Sequence, residues 1–234
     1  MKICVYGMAG VTAGRYNLKD PRLDAVHKLV EADMKAYAQV DVAGDDELAE
    51  ADAIVATSDS VTDLLLRDLE FVETRLGRDA GPAEKEALKV LQADLEASRC
   101  LCDSTLPADA WKAVNTSGLV TWKPVVVAPA GAPPPIDSLL RAAFARAGYI
   151  CFLTVGGKEN RAWPIRKGVS IWEAAGAIHS DIQKGFIRAE VIAYDDLMAA
   201  GGEVQAKRAG KLRLETKPYV VQDYDVVNFR FNKT

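Results

Sequence analysis

The chain has 234 residues, 49% hydrophobic and 26% charged, with a formal net charge of −4. That length holds one large or two modest cores, and no apolar run approaches the roughly 20 residues that span a bilayer, so a soluble, cytoplasmic protein without a membrane partner is expected. Charge is unevenly spread: from Tyr149 onward 13 Lys and Arg stand against 10 Asp and Glu, and before it 16 stand against 23. An acidic first part has no general attraction for phosphate, whereas a mildly basic second part suits a nucleic acid surface.

Lys2 leads into Ile3-Cys4-Val5-Tyr6, which reads as a buried strand over residues 2–6 rather than a secretory leader, because glycines and a tyrosine interrupt the apolar run. A glycine-rich turn, Gly7-Met8-Ala9-Gly10-Val11-Thr12-Ala13-Gly14-Arg15-Tyr16, follows. Asp20-Pro21 opens a helix with Leu23, Val26, Leu29 and Val30 on one side. Residues 38–42, 53–57 and 123–128 are further apolar strands. Between the last two, Leu65, Leu69, Val72 and Leu76, then a break over residues 77–82, then Leu88, Leu91 and Leu95 predict a helical hairpin over about 61–102. The proline-rich run 129–135 is the clearest breaker, ahead of a helix over 136–147 and a boundary at Gly148. Residues 1–148 are therefore expected to form an α/β domain with a mostly parallel sheet and an inserted hairpin.

From Tyr149 the pattern changes to α+β. Residues 149–155 and 160–165 flank Gly156-Gly157 as a β-hairpin, and Ser170 caps a helix running through Gln183, with Glu173 completing a capping box. Strands are predicted over 186–193, 219–222 and 226–231. Alternation in the last places Val227, Phe229 and Phe231 on one face and Asn228 and Arg230 on the other. Residues 149–234 are enough for a core of their own.

The four cysteines, Cys4, Cys100, Cys102 and Cys151, read as free thiols of a reducing compartment. The close pair Cys100-Leu101-Cys102 lacks a second pair at zinc-site spacing, and His27 and His179 are the only histidines, so no metal site is expected. His179-Ser180-Asp181 holds the letters of a triad, but adjacent helical side chains diverge, so no catalytic residue is assigned. Asp45-Asp46, Asp195-Asp196 and Asp223 with Asp225 read as solvated turns and caps.

Two stretches carry more. Ile178-His179-Ser180-Asp181-Ile182-Gln183-Lys184-Gly185-Phe186-Ile187-Arg188-Ala189-Glu190-Val191 and Gln222-Asp223-Tyr224-Asp225-Val226-Val227-Asn228-Phe229-Arg230-Phe231 closely resemble the C-terminal TGS-like domain of the YchF/Obg-like ATPase family. Similarity continues, in family order, at Asp20-Pro21-Arg22-Leu23-Asp24, Val40-Asp41-Val42-Ala43-Gly44, Ala51-Asp52-Ala53-Ile54-Val55, Asp68-Leu69-Glu70-Phe71-Val72-Glu73-Thr74-Arg75-Leu76 and Lys123-Pro124-Val125. The resemblance implies a β-grasp, ubiquitin-like fold for 149–234 and a truncated P-loop GTPase-like sheet for 1–148. It also implies association with ribosomes and RNA.

Against that family the first part keeps landmarks and loses chemistry. A phosphate loop needs glycine amides around the anion, a Lys to neutralise it and a Ser or Thr hydroxyl on magnesium. Here Gly7, Gly10 and Gly14 are present, but Arg15 is the only stand-in for the Lys and Tyr16 follows it in place of the hydroxyl. Asp41 and Gly44 match the segment that in the family holds the magnesium shell and senses the terminal phosphate. Only residues 45–50 separate them from the next strand, where a switch segment is expected. The base-reading motif is replaced by Ala128-Pro129-Ala130-Gly131. Gly7, Gly10, Gly14, Arg15, Asp41 and Gly44 thus read as a vestigial nucleotide site. Each lost hydrogen bond to a charged group costs roughly 1.5–3 kcal/mol, so two losses weaken binding on the order of 10²–10⁴-fold.

The expectation is a noncatalytic binding protein that engages the ribosome, RNA or a translation-associated protein through its TGS-like domain. Lys184, Arg188, Arg208, Lys211, Arg213 and Arg230 are the candidate contacts, with Trp163 as a candidate stacking platform. No cofactor and no DNA partner are expected. The first alternative is a nucleotide switch retaining ATP or GTP with magnesium through Arg15, Asp41 and backbone amides. The second is a protein-interaction scaffold or homodimer without nucleic acid. The sequence leaves the oligomeric state open.

Overall fold

A computed structural model describes residues 1–78, 80–114, 116–129 and 134–232. Ala130 and Gly131 of the replaced base-reading motif, within the proline-rich breaker, lie outside the described residues. The chain divides by contacts into two units, Met1–Tyr16 with Val40–Ala147, and Asn17–Gln39 with Gly148–Thr234. In chain order the first part runs β1 (Lys2–Tyr6), β2 (Gly14–Asn17), α1 (Pro21–Leu29), β3 (Met34–Ala36), β4 (Gln39–Ala43), β5 (Ala53–Thr57), α2 (Ser60–Leu76), α3 (Pro82–Glu96), β6 (Val125–Ala128) and α4 (Ile136–Arg146).

Ile3, Cys4, Ile54 and Val55 are fully buried, the mark of strands covered on both faces. They belong to β1 and β5, the inner strands of a five-stranded sheet ordered β2-β4-β1-β5-β6. The pairs β1–β4, β1–β5 and β5–β6 are all parallel. The expected hairpin is present as α2 and α3: Gly77 closes α2, and Pro82 opens α3 where its missing N–H is harmless. Leu65, Val72, Leu88, Leu91 and Leu95 meet along its seam, and Leu101, Leu106, Val114 and Leu119 join them. Asp68, fully buried on α2, ties the hairpin base to the segment before β6. It accepts the Val120 and Thr121 amides at 2.8 Å each and the Thr121 hydroxyl at 2.5 Å. Burial outweighs these bonds and raises its pKa.

The second part comprises β7 (Tyr149–Thr154), β8 (Glu159–Arg166), α5 (Ile171–Ile178), α6 (Ser180–Lys184), β9 (Phe186–Ile192), α7 (Tyr194–Ala200), α8 (Glu203–Arg208), β10 (Arg213–Glu215) and β11 (Val226–Phe231). Its sheet is ordered β10-β9-β11-β7-β8-β3. The β7–β8 hairpin is antiparallel, β11 runs parallel to β7, and β9 runs antiparallel to β11. With α5 and α6 between the two strand pairs, this is the β-grasp arrangement. Phe152, Ile165, Ala174, Ala189, Val191 and Val227 form its core. Ser170 and Glu173 make the capping box.

Several local expectations change. The helix expected through Gln183 breaks at His179, whose extended backbone (φ −164, ψ 143) ends α5 and begins α6. Residues 219–222 contribute only a bridge, Ser170 to Val220, because Asp225 takes the Gln222 amide at 2.9 Å. A register shift between Arg230 and Phe231 leaves Phe231 37% exposed instead of on the core face.

The larger difference concerns residues 17–39, expected in the first domain and found in the second unit. β3 adds to the sheet edge in parallel with β8, and Leu23 and Val26 of α1 are fully buried. Asn160, also buried, donates to the Val30 carbonyl at 2.7 Å. Arg22 clamps the two segments together. Its guanidinium lies 3.6 Å from the centroid of the Tyr224 ring and donates to Asp20 at 2.9 Å and Asp223 at 2.7 Å. Asp223 in turn accepts the Cys151 amide at 3.1 Å. Both the Asp20-Pro21-Arg22 and Asp223-Tyr224 motifs therefore serve one cluster. No helix among the described residues is long and apolar enough to cross a membrane.

Candidate functional site

In the first unit the glycine-rich turn leaves β1 and passes directly into β2. A phosphate cradle derives its attraction from amides converging at the start of a helix, and here the chain is extended instead. Gly7, Gly10 and Gly14 all have positive φ, at 64°, 83° and 149°. Only Gly7 is also sterically required, since a Cβ there would sit 2.6 Å from the Ser60 Cβ at the start of α2. Its amide donates to the Asp45 carboxylate at 3.1 Å. Gly44, immediately before Asp45, offers its carbonyl to the Cys4 thiol at 3.3 Å. The Gly7 amide is thus held by the acidic residue that follows Gly44.

Arg15 lies on β2, not in the turn, and its Nε donates to Asp41 on β4 at 3.2 Å. The pair is 67% and 53% exposed, so solvent screens it. Gly14, Arg15 and Asp41 line a shallow cleft together with Lys2, Ala43 and Glu47. Lys2 is bonded to Glu47 and, at 2.8 Å, to Glu50. Those bonds, Glu47 first, raise the Lys2 pKa, and Lys2 holds Glu50 below the carboxylate norm. Both basic groups in the cleft are therefore matched by carboxylates. Sequence reasoning missed Lys2, Asp45 and Glu47, although the acidic run filling the short gap after Gly44 was a readable signal.

In the second unit the sheet separates the basic candidates. Arg188 on β9 faces Arg230 on β11 directly across the ladder, and Glu190 faces Asn228. Arg213 on β10 pairs with Val191, so alternation sends it to the opposite face from Arg188 and Arg230. Arg213 donates to the Tyr219 hydroxyl at 2.9 Å and lies 3.7 Å from buried Asp225. Lys211 is paired with Asp196 at 3.0 Å, and Arg230 with Glu190. Lys184, Arg188 and Arg208 are exposed and have no ion pair among the described residues. Exposed Leu214 shares the Arg188 face, because it stands opposite Glu190.

Trp163 is unsuited to stacking on a base. It packs on the β-grasp core, donates to Thr154 Oγ1 at 2.9 Å, and carries the Arg161 guanidinium 4.3 Å from its centroid. His179 caps α6 by accepting the Asp181 amide at 3.2 Å.

The family model described as YchF-GTPase_C, a protein of unknown function (DUF933), matches residues 149–232. A relative in Bacillus subtilis, "Ribosome-binding ATPase YchF", is 54% identical over 97 residues, covering 42% of this chain and 26% of that protein. "Obg-like ATPase 1" of Rattus norvegicus is 45% identical over 97 residues, covering 42% of this chain and 24% of its own length. The matched stretch thus spans about a quarter of these relatives. The solved "Structure of the Schizosaccharomyces pombe YchF GTPase" aligns over 95% of this chain and 89% of its own, with a TM-score of 0.70 at 19% identity. That likeness carries the fold of the first unit as well as the second. Residues 149–232 are thus similar to the C-terminal domain of the YchF family.

Proposed function

We propose that this chain is a noncatalytic YchF-family protein that engages the ribosome, RNA or another translation component through its β-grasp unit. The observation that carries this reading is the path of the glycine-rich turn: it enters β2 rather than a helix, and Asp45 already holds the Gly7 amide. A magnesium nucleoside triphosphate does not fit these residues. Its phosphates would meet Asp41, Asp45 and Glu47, while Arg15 and Lys2 are engaged by carboxylates. The bacterial relatives are named as ribosome-binding proteins, and the region of likeness includes the β-grasp unit.

Within that unit Arg188 is the leading contact, being exposed and opposite Arg230 on one sheet face. The test is cosedimentation of the full chain with ribosomes at about 50 mM salt, repeated for Arg188→Glu and for Arg213→Glu, which lies on the other face. Removing one phosphate contact flattens the log–log salt slope by roughly 0.7 on single-stranded RNA. Arg188→Glu should weaken binding and flatten the slope, and Arg213→Glu should do neither. Absence of binding by the full chain removes the proposal. Binding that ignores Arg188→Glu favours a protein partner, a reading supported by the exposed Leu214 on the same face.

A further inference from the structure

Cys100 and Cys102 flank Leu101 at a short 3-10 turn, Leu101–Asp103. The turn is pinned from below. Leu101 is 1% exposed, its amide donates to Thr121 Oγ1 at 3.2 Å, and the Cys102 amide donates to the Thr121 carbonyl at 2.7 Å. Both cysteines are free and half-buried, two residues apart on the same pinned turn. From the end of α4, Arg146 donates to Cys102 Sγ at 3.5 Å and also engages Asp103, whose carboxylate lies 3.8 Å from the same sulfur.

These contacts divide the pair chemically. The neighbouring Cys100 thiol, and then the Arg146 hydrogen bond, draw the Cys102 pKa below the usual thiol value against the effect of burial. The neighbouring Cys102, and then burial, push Cys100 up. The other two cysteines are buried. Burial lifts Cys4 to about 11 and raises Cys151 as well. A thiolate beside a guanidinium, within reach of a second thiol and partly open to solvent, is the arrangement of a reactive cysteine with its resolving partner.

We propose that Cys100 and Cys102 form a peroxide-responsive dithiol in which Cys102 attacks and Cys100 resolves. The Cys102 thiolate attacks one oxygen of a hydroperoxide. The O–O bond breaks, the departing alkoxide or hydroxide takes up a proton, and Cys102 becomes a sulfenic acid. Cys100 sulfur then attacks Cys102 sulfur, forming S–S and breaking S–O, with water leaving. The two thiols supply both electrons and the peroxide is reduced. A ring closed across a single intervening residue departs from relaxed disulfide geometry, so the product is easily reduced again, as a reversible switch requires.

The first test uses the reduced, folded full chain without substitution. Brief alkylation by iodoacetamide at pH 7, read by peptide mass, should label Cys102 at least about tenfold faster than Cys4 or Cys151. Hydrogen peroxide should then remove the Cys100 and Cys102 thiols together, with an intrapeptide disulfide that dithiothreitol reverses. Cys100→Ser should stop at a sulfenic acid that dimedone captures on Cys102, and Arg146→Gln should move the pH midpoint of Cys102 alkylation upward. The proposal is overturned if Cys4 or Cys151 labels as fast as Cys102, if peroxide leaves both thiols intact, or if the Arg146→Gln midpoint stays in place. The competition among native thiols needs no variant, so a misfolded substitution leaves the test standing.

Discussion

The two units differ in what their charged groups touch. In the first, the charges that line the cleft beside β2 and β4 are matched within the chain: Arg15 with Asp41, and Lys2 with Glu47 and Glu50. In the second, Arg188, Lys184 and Arg208 stand in solvent without ion pairs among the described residues. A sheet of this strand order does not by itself supply phosphate chemistry at its strand ends. The parallel sheet is set by buried apolar strands, whereas a phosphate site depends on a few amides and one cation.

The largest effect that bears on this comparison lies in the second unit. Arg22→Ala removes bonds to Asp20 and Asp223 and the stack on Tyr224, and should destabilise that unit by about 3 kcal/mol. Urea titration followed by the fluorescence of Trp163 and Trp172 measures it, and Arg22→Lys, which keeps charge but not the planar fork, should fall between. An unchanged midpoint means residues 17–39 do not staple the β-grasp unit.

Next in size is Gly7→Ala. The new Cβ meets Ser60 and must adopt a φ of 64°, at a cost of about 2 kcal/mol in the first unit. Trp111 and Trp122 report there, and no loss would mean that β1 and α2 do not approach as described.

A smaller effect concerns acid. Burial would raise the pKa of Asp20, but its bonds to Arg22 prevail and lower it. A carboxylate depressed in the folded state contributes stability in full above its unfolded value, and that contribution fades as pH falls through the folded value. Stability of the second unit should therefore drop below about pH 4, and Arg22→Ala should shrink that drop. An identical acid profile in both proteins contradicts the assignment.

The sequence made the architecture legible wherever apolar periodicity ran long enough. Residues 53–57, the α2–α3 hairpin and the Ser170–Glu173 capping box appear as expected. Short elements escaped: β2 is Gly-Arg-Tyr-Asn and β3 has three residues, so neither carries a period to detect. The candidate site was half legible. The glycines and Asp41 were singled out by their resemblance to the family's motifs, but the partner of each charge depends on contacts distant in sequence, as with Gly7 and Asp45 or Arg22 and Asp223. Arg188 and Arg213 read alike in sequence, and only strand register separates their faces.

The central claim of the proposal is that the first unit does not hold nucleotide phosphate. Calorimetric titration of the full chain with ATP and with GTP, each with magnesium, tests it most directly. The account predicts binding weaker than about 1 mM for both, because among the described residues Arg15 and Lys2 in the cleft are matched by carboxylates and Asp45 holds the Gly7 amide. Micromolar affinity for either nucleotide would contradict it and restore the switch reading.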